Sequence, residues 1–158
     1  MAQTPQARRS IAQNRRARFE YEILDELECG LELAGTEVKS LRAGHGSLGE
    51  AFAHFRGDEL FLLGAHIPVY AHGNVHNHEP TRPRKLLAHR RELDKWSKAV
   101  REKGVTIVPL ELYFQGSRIK LRVALARGKK LYDKRAATRE REDKRSMERA
   151  LTRRRRDD

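Results

Sequence analysis

The residue types that could do chemistry gather in Gly35-Thr36-Glu37-Val38-Lys39-Ser40-Leu41-Arg42. Upstream, Phe19, Tyr21 and Ile23 alternate with Glu20 and Glu22, a period of two that reads as a strand. Carried onward, that period sets Gly35, Glu37 and Lys39 on one face, with Arg42 just beyond. The face combines bare backbone, a carboxylate and an ammonium. Its chemistry would be recognition rather than bond-breaking. Lys and Arg hold phosphates, whereas only an acceptor reads the N–H donors of a base or a 2′-hydroxyl. In a chain of net charge +12, a carboxylate among cations is the informative residue. On this reading Glu37→Ala costs roughly 1–3 kcal/mol of specific affinity. The competing reading is an exposed ion pair worth under about 1 kcal/mol.

Other chemistries find less support. His72, His76 and His78 form H-x3-H-x-H, but no cysteine or Glu-x-x-His pattern accompanies them, so no metal is expected. Cys29 stands alone, which excludes an intramolecular disulfide, and its strand-like neighbours suit a small buried hydrophobe. There is no Gly-x-Ser-x-Gly, no phosphate-cradling glycine loop and no nucleophile beside a base, so neither catalysis nor a cofactor is expected. Gly128-Lys129-Lys130 and Asp133-Lys134-Arg135 suit phosphate anchoring, although both motifs are short. Among the aromatics, Tyr132 is the candidate for stacking on a base or docking the tail.

These residues need elements to hold them. A length of 158 residues fits one domain plus tails, and with 35% charged and 38% apolar residues its core must be small and its surface ionic. The pI near 10.3 points to a polyanionic partner. No apolar run approaches the ~20 residues of a membrane span, and the N-terminus lacks a signal-type segment, so a cytoplasmic protein is expected. Residues 1–13 read as a flexible arm and 14–130 as the folded domain. Within it, strands are expected over about Phe19–Cys29, Ala51–Arg56, Glu59–Ile67, Val105–Phe114 and Ser117–Ala126, with a hairpin turn at Gly57-Asp58. In the last strand, Ile119, Leu121, Val123 and Leu125 alternate with Lys120, Arg122, Ala124 and Ala126, which predicts one buried face. A helix is predicted from Pro83 or Arg84 to Gly104, capped by Thr81, with Leu86, Leu93, Trp96 and Val100 on its apolar stripe. Mainly β structure with one inserted helix predicts a small closed or nearly closed antiparallel barrel, a common platform for RNA.

The last 32 residues hold 14 Lys/Arg and 7 Asp/Glu, and their apolar positions are sparse. Helix propensity is good, and pairs such as Glu140–Lys144 add a few tenths of a kcal/mol. That is too little to hold a lone helix in water. The tail, residues 131–158, is expected to be disordered when free and to become helical against a polyanion.

In order and spacing, several runs closely resemble the SsrA-binding protein, small protein B (SmpB) family. They are Asn14-Arg15-Arg16-Ala17, the 35–42 stretch, Asn77, then Pro80-Thr81-Arg82-Pro83-Arg84-Lys85-Leu86-Leu87. Pro109-Leu110, Leu112-Tyr113-Phe114, Gly128-Lys129-Lys130 and Asp133-Lys134-Arg135 complete the set. The resemblance implies an oligonucleotide-binding-type (OB-fold-like) barrel that binds the tRNA-like domain of transfer-messenger RNA. It implies a tail that enters the empty mRNA channel of a stalled ribosome and folds there as a helix. Elongation factor Tu and alanyl-tRNA synthetase would act on the same RNA, and the protein itself would catalyse nothing. Carried onto this chain, the RNA surface would be Glu37, Lys39, Arg42, Asn77, Arg84 and Lys85, supported by Lys120, Lys129, Lys130 and Tyr132. The ribosome-binding tail would use Asp133, Lys134, Arg135, Arg139, Arg141, Lys144, Arg145, Met147, Arg149 and Leu151. Phe19 stands where family members carry a histidine thought to face the decoding region, and no such role is carried onto it. The rival reading is a general RNA chaperone or a ribosomal RNA-binding protein.

Overall fold

The computed structural model describes residues 8–71, 77–102, 104–129 and 131–157, without the side chains of 131–134, 136, 137 and 154–157. The elements run β1 (Arg8–Gln13), α1 (Ala17–Glu20), β2 (Tyr21–Leu31), α2 (Gly35–Arg42), β3 (Phe52–Arg56) and β4 (Glu59–Leu63). Then come β5 (Arg84–Leu87), α3 (Arg90–Ala99), β6 (Val105–Gln115), β7 (Arg118–Gly128) and α4 (Leu131–Asp157). Every strand pairing is antiparallel, in the order β1-β6-β3-β4-β5-β2-β7, and an added β6–β7 ladder joins the sheet to itself. The sheet therefore closes as a barrel of six strands, with β1 sharing the edge of β6 that β3 leaves open. Closure removes the exposed edges that would otherwise invite pairing with other chains.

Leu27, Cys29, Leu60, Leu62, Leu86, Ile107, Leu112, Leu121, Val123 and Leu125 fill the interior. Burial, with the charges of Glu92 and Glu28 behind it, pushes the Cys29 thiol up to about 12. Helix α3 covers this core with Leu93 and Trp96, and the Trp96 Nε1–H donates to Asp25 Oδ2 at 3.2 Å. The β3–β4 turn places Gly57 at φ 61, a left-handed position that suits glycine. Pro109, which lacks an N–H, sits where the β6–β7 register shifts, so no ladder bond is lost.

Three expectations change. Residues 8–13 are a strand rather than a loose arm: they pair with 111–115, and Arg8 bonds Glu111 at 2.5 Å while its guanidinium lies 4.1 Å over the Tyr113 ring. Arg84–Leu87 is a strand, and the helix starts at Arg90 instead of near Pro83. The pairing of Leu86 with Leu60 overrides the helix propensity of Arg-Lys-Leu-Leu. Strand β7 is not one-sided: Ala124 and Ala126 are also buried, on the outer wall, where Ala17 of α1 joins them with Val108 and Leu110. The tail is a 27-residue helix, the conformation expected of it against a polyanion. Among the described residues no helix is long and apolar enough to cross a membrane.

Candidate nucleic-acid interface

The 35–42 stretch is helix, and this reorders the face read from the sequence. Ala34 is extended at φ −76, ψ 158, and Glu37 at the third helical position accepts the Ala34 N–H at 2.9 Å, half of a capping box. Glu37, Ser40 and Leu41 share the buried stripe, with spacings of three and four. Two residues in a helix differ by about 200°, so Glu37 points inward and Lys39 outward. Lys39 and Arg42 are exposed in the last turn, where cations suit the carbonyl end of the dipole.

Glu37 is fully buried and saturated. Its Oε2 accepts from Arg84 Nε, and its Oε1 accepts from both the Nε (2.9 Å) and a terminal nitrogen of Arg82, besides the Ala34 N–H. Burial opposes its ionisation, but the Ala34 N–H and the two guanidiniums outweigh it and hold the carboxyl below its ordinary range. Arg84 is equally buried, donating to the carbonyls of Ala65 and Pro80 at 2.9 Å each. Neither Glu37 nor Arg84 can touch RNA from this position, which corrects both assignments. Their work is internal, fastening α2 to β5 and to the chain leading into it.

Further bonds brace the same connection. Ser40 Oγ–H donates to the Pro68 carbonyl at 2.5 Å. His78 is buried, with Nε2 2.8 Å from the Ile67 carbonyl and Nδ1 2.8 Å from Thr36 Oγ1, and a neutral ring protonated on Nε2 satisfies both. The half-buried Asn77 engages the backbone through its amide. Its Oδ1 accepts the Tyr70 N–H at 3.0 Å, and its Nδ2 donates to the Tyr70 carbonyl at 2.7 Å. The Tyr70 ring lies 5.6 Å from the Lys39 ammonium, so Asn77 acts on the face through Tyr70.

The other candidates are dispersed. Lys85 is half-buried, bonds Glu59 at 3.0 Å and lines a cleft of about 500 Å³ with Leu33, Phe61 and Arg82. Lys120 and Lys129 lie nine residues apart on and after β7, roughly 30 Å along a strand, so no single phosphate spans them. Lys129 Nζ donates to the Arg18 carbonyl at 3.0 Å. Lys130 and the side chains of Tyr132, Asp133 and Lys134 lie outside the described residues, as do His72 and His76. On α4, Arg135, Arg139, Arg141, Lys144, Arg145, Met147, Arg149 and Leu151 are all exposed, Met147 at 68% and Leu151 at 58%. Among the described residues no cluster of His, Cys, Asp or Glu could hold a metal.

Sequence reasoning missed Arg82 as a partner of Glu37. It also missed Asn14, which fastens α1 to the barrel by donating from Nδ2 to the Pro109 carbonyl at 3.0 Å and from its backbone N–H to the Leu110 carbonyl at 2.8 Å. The Asn14-Arg15-Arg16-Ala17 and Arg82-Pro83-Arg84 runs were visible, but Pro109 lies 95 residues from Asn14, and Glu37 lies 45 and 47 residues from Arg82 and Arg84, beyond any local pattern.

Fold and surface define a class: a closed basic barrel that presents cations on a braced helix and carries a second, exposed basic helix at its end. Residues 11–153 match the model of the SmpB protein family, and the chain belongs to that family. It is 57% identical over 150 residues to an SsrA-binding protein of Thermobifida fusca, covering 95% of this chain and 94% of the relative. An SsrA-binding protein of Kineococcus radiotolerans is 54% identical over 147 residues, covering 93% and 94%. A solved structure described as "tmRNA-SmpB: a journey to the center of the bacterial ribosome" matches with a TM-score of 0.65 and 46% identity, over 80% of this chain and 93% of that one.

Proposed function

We propose that this chain is a cytoplasmic RNA-binding adaptor of trans-translation, with no catalysis of its own. Its barrel binds the tRNA-like domain of transfer-messenger RNA, and its tail helix enters the empty mRNA channel of a stalled ribosome. The observation that carries this reading is the separation of two cationic surfaces. Lys39 and Arg42 stand on a helix made rigid by the buried Glu37–Arg84 pair, whereas the α4 cations stand on a helix that is exposed along its described length. A rigid surface suits one shaped RNA, and an exposed basic helix suits a channel lined by phosphates. Relatives named for binding SsrA and a neighbour described with tmRNA and the ribosome support both halves.

In this account Lys39, Arg42 and Lys85 meet the RNA, with Lys120, Lys129 and Lys130 adding phosphate contacts. Glu37, Asn77 and Arg84 support that surface from inside. Tyr132 belongs with the RNA contacts, and the tail residues from Asp133 to Leu151 serve the ribosome. The test is peptide tagging on stalled ribosomes with the full chain and with residues 1–130. Tagging should vanish in the shortened form while its binding to transfer-messenger RNA persists. Full tagging without the tail would contradict the proposal.

A further inference from the structure

Arg15, Arg18, Arg122 and Arg141 line one cleft of about 380 Å³, walled by the β1–α1 turn, α1, β6, β7 and α4. Carboxylates nearby are already engaged. Arg18 bonds Glu26 at 2.7 Å, and Glu111, the one acidic residue of the lining, bonds Arg8 at 2.5 Å. Glu28 and Glu111 stand opposite Arg122 across the two ladders of β7, but Glu28 accepts from the Tyr113 hydroxyl. Among the described residues Arg15, Arg122 and Arg141 therefore form no ion pair. Arg141 makes a different contact, its guanidinium lying 5.0 Å over the Phe19 ring, and this brings the tail helix to the mouth of the cleft. Three unpaired guanidiniums around one cavity repel one another, and a bound anion would turn that repulsion into bidentate, charge-assisted bonding.

We propose that this cleft is a phosphodiester site which latches the tail helix to the barrel, with one backbone phosphate of a bound RNA held jointly by Arg15, Arg122 and Arg141. The ligand chemistry follows from planar guanidiniums on several sides of the cleft. Body and tail supply donors to the same anion, so RNA binding fixes the direction in which α4 leaves the barrel. The inference rests on the RNA-binding reading but goes beyond it, since that reading leaves the two surfaces independent.

The experiment attaches a spin label to the full-length Ser146→Cys variant and follows amide broadening at residues 15–18 by NMR. Cys29 is fully buried and its thiol is pushed up to about 12, so the introduced cysteine takes the label alone. The probe is a uridine tetranucleotide, compared with its uncharged methylphosphonate analogue. The tetranucleotide should strengthen the broadening and the analogue should not. Arg141→Gln and Arg122→Gln should each weaken tetranucleotide binding about tenfold and abolish the added broadening. Arg153→Gln, the same charge change about 18 Å further along α4, should leave both unchanged. Tetranucleotide binding without added broadening, or equal damage from Arg153→Gln, would overturn the latch alone. No tetranucleotide binding would overturn the latch, whereas the RNA-binding reading falls only if the same full-length protein also fails to bind the tRNA-like domain of transfer-messenger RNA.

Discussion

Glu37 is a charge that the fold cannot do without once Arg84 is buried beside it. Removing one partner of a buried pair leaves the other unpaired, which costs about 3–5 kcal/mol. Glu37→Gln keeps the shape but strands the Arg84 guanidinium, and urea unfolding at pH 7 should register a loss of that size. The sign of the pH dependence follows from the lowered carboxyl. The Glu37 contribution is complete above the ordinary value of 4.5 and is lost as pH falls through the lower folded value. The gap between wild type and Glu37→Gln should therefore narrow in acid. A gap that stays constant from pH 7 down to pH 3 would show that the charge is not its source. At this scale the sequence disclosed which residues mattered more than what they touch. Lys39 and Arg42 read correctly as open cations. Glu37 did not, because Ala34 lacks the Ser or Thr that normally marks a capping box, and the period of two was carried across a turn where it no longer applied.

Among the elements, the connection from β4 to β5 is the support of the RNA face, and Gly64 begins it. Its φ is 76, and a Cβ placed there would stand 2.7 Å from the Glu50 carbonyl oxygen, a backbone atom with little freedom to move. Gly64→Ala should lower stability by at least about 2 kcal/mol, from the left-handed strain and the contact together. Thermal unfolding checks this, and an unchanged Tm would show that the connection tolerates a shift of backbone. Strands β2 and β7 were legible because they alternate, and β3–β4 and β6–β7 because a Gly-containing turn joins each pair of apolar runs. Strands β1 and β5 were not. Arg8–Gln13 has little hydrophobic pattern, and its pairing with β6 is remote. Arg84–Leu87 is four residues long, too short for a period to decide, and it becomes a strand through Leu60, Phe61 and Leu62 across the ladder. The buried outer face of β7 was hidden for a related reason: Ala124 and Ala126 are small enough to pass for surface until Ala17 packs on them.

At the scale of the whole molecule, the charge is divided between the barrel and the appended helix, and the account assigns each a different polyanion. This division was legible from composition alone, because the last 32 residues carry 14 of the 34 cations. Selectivity was not legible from charge, since cations attract any nucleic acid, and shape recognition depends on how α2 is braced. The most direct test is binding of the full chain and of residues 1–130 to the tRNA-like domain of transfer-messenger RNA and to ordinary tRNA, across a salt series. The account predicts that both forms prefer the tRNA-like domain, with comparable affinity near physiological salt. It also predicts that the full chain shows the steeper salt dependence, because its tail adds non-selective phosphate contacts. Loss of binding in the shortened form, with no preference between the two RNAs in either, would contradict the claim that the barrel reads the RNA and would leave a non-selective RNA-binding protein in its place.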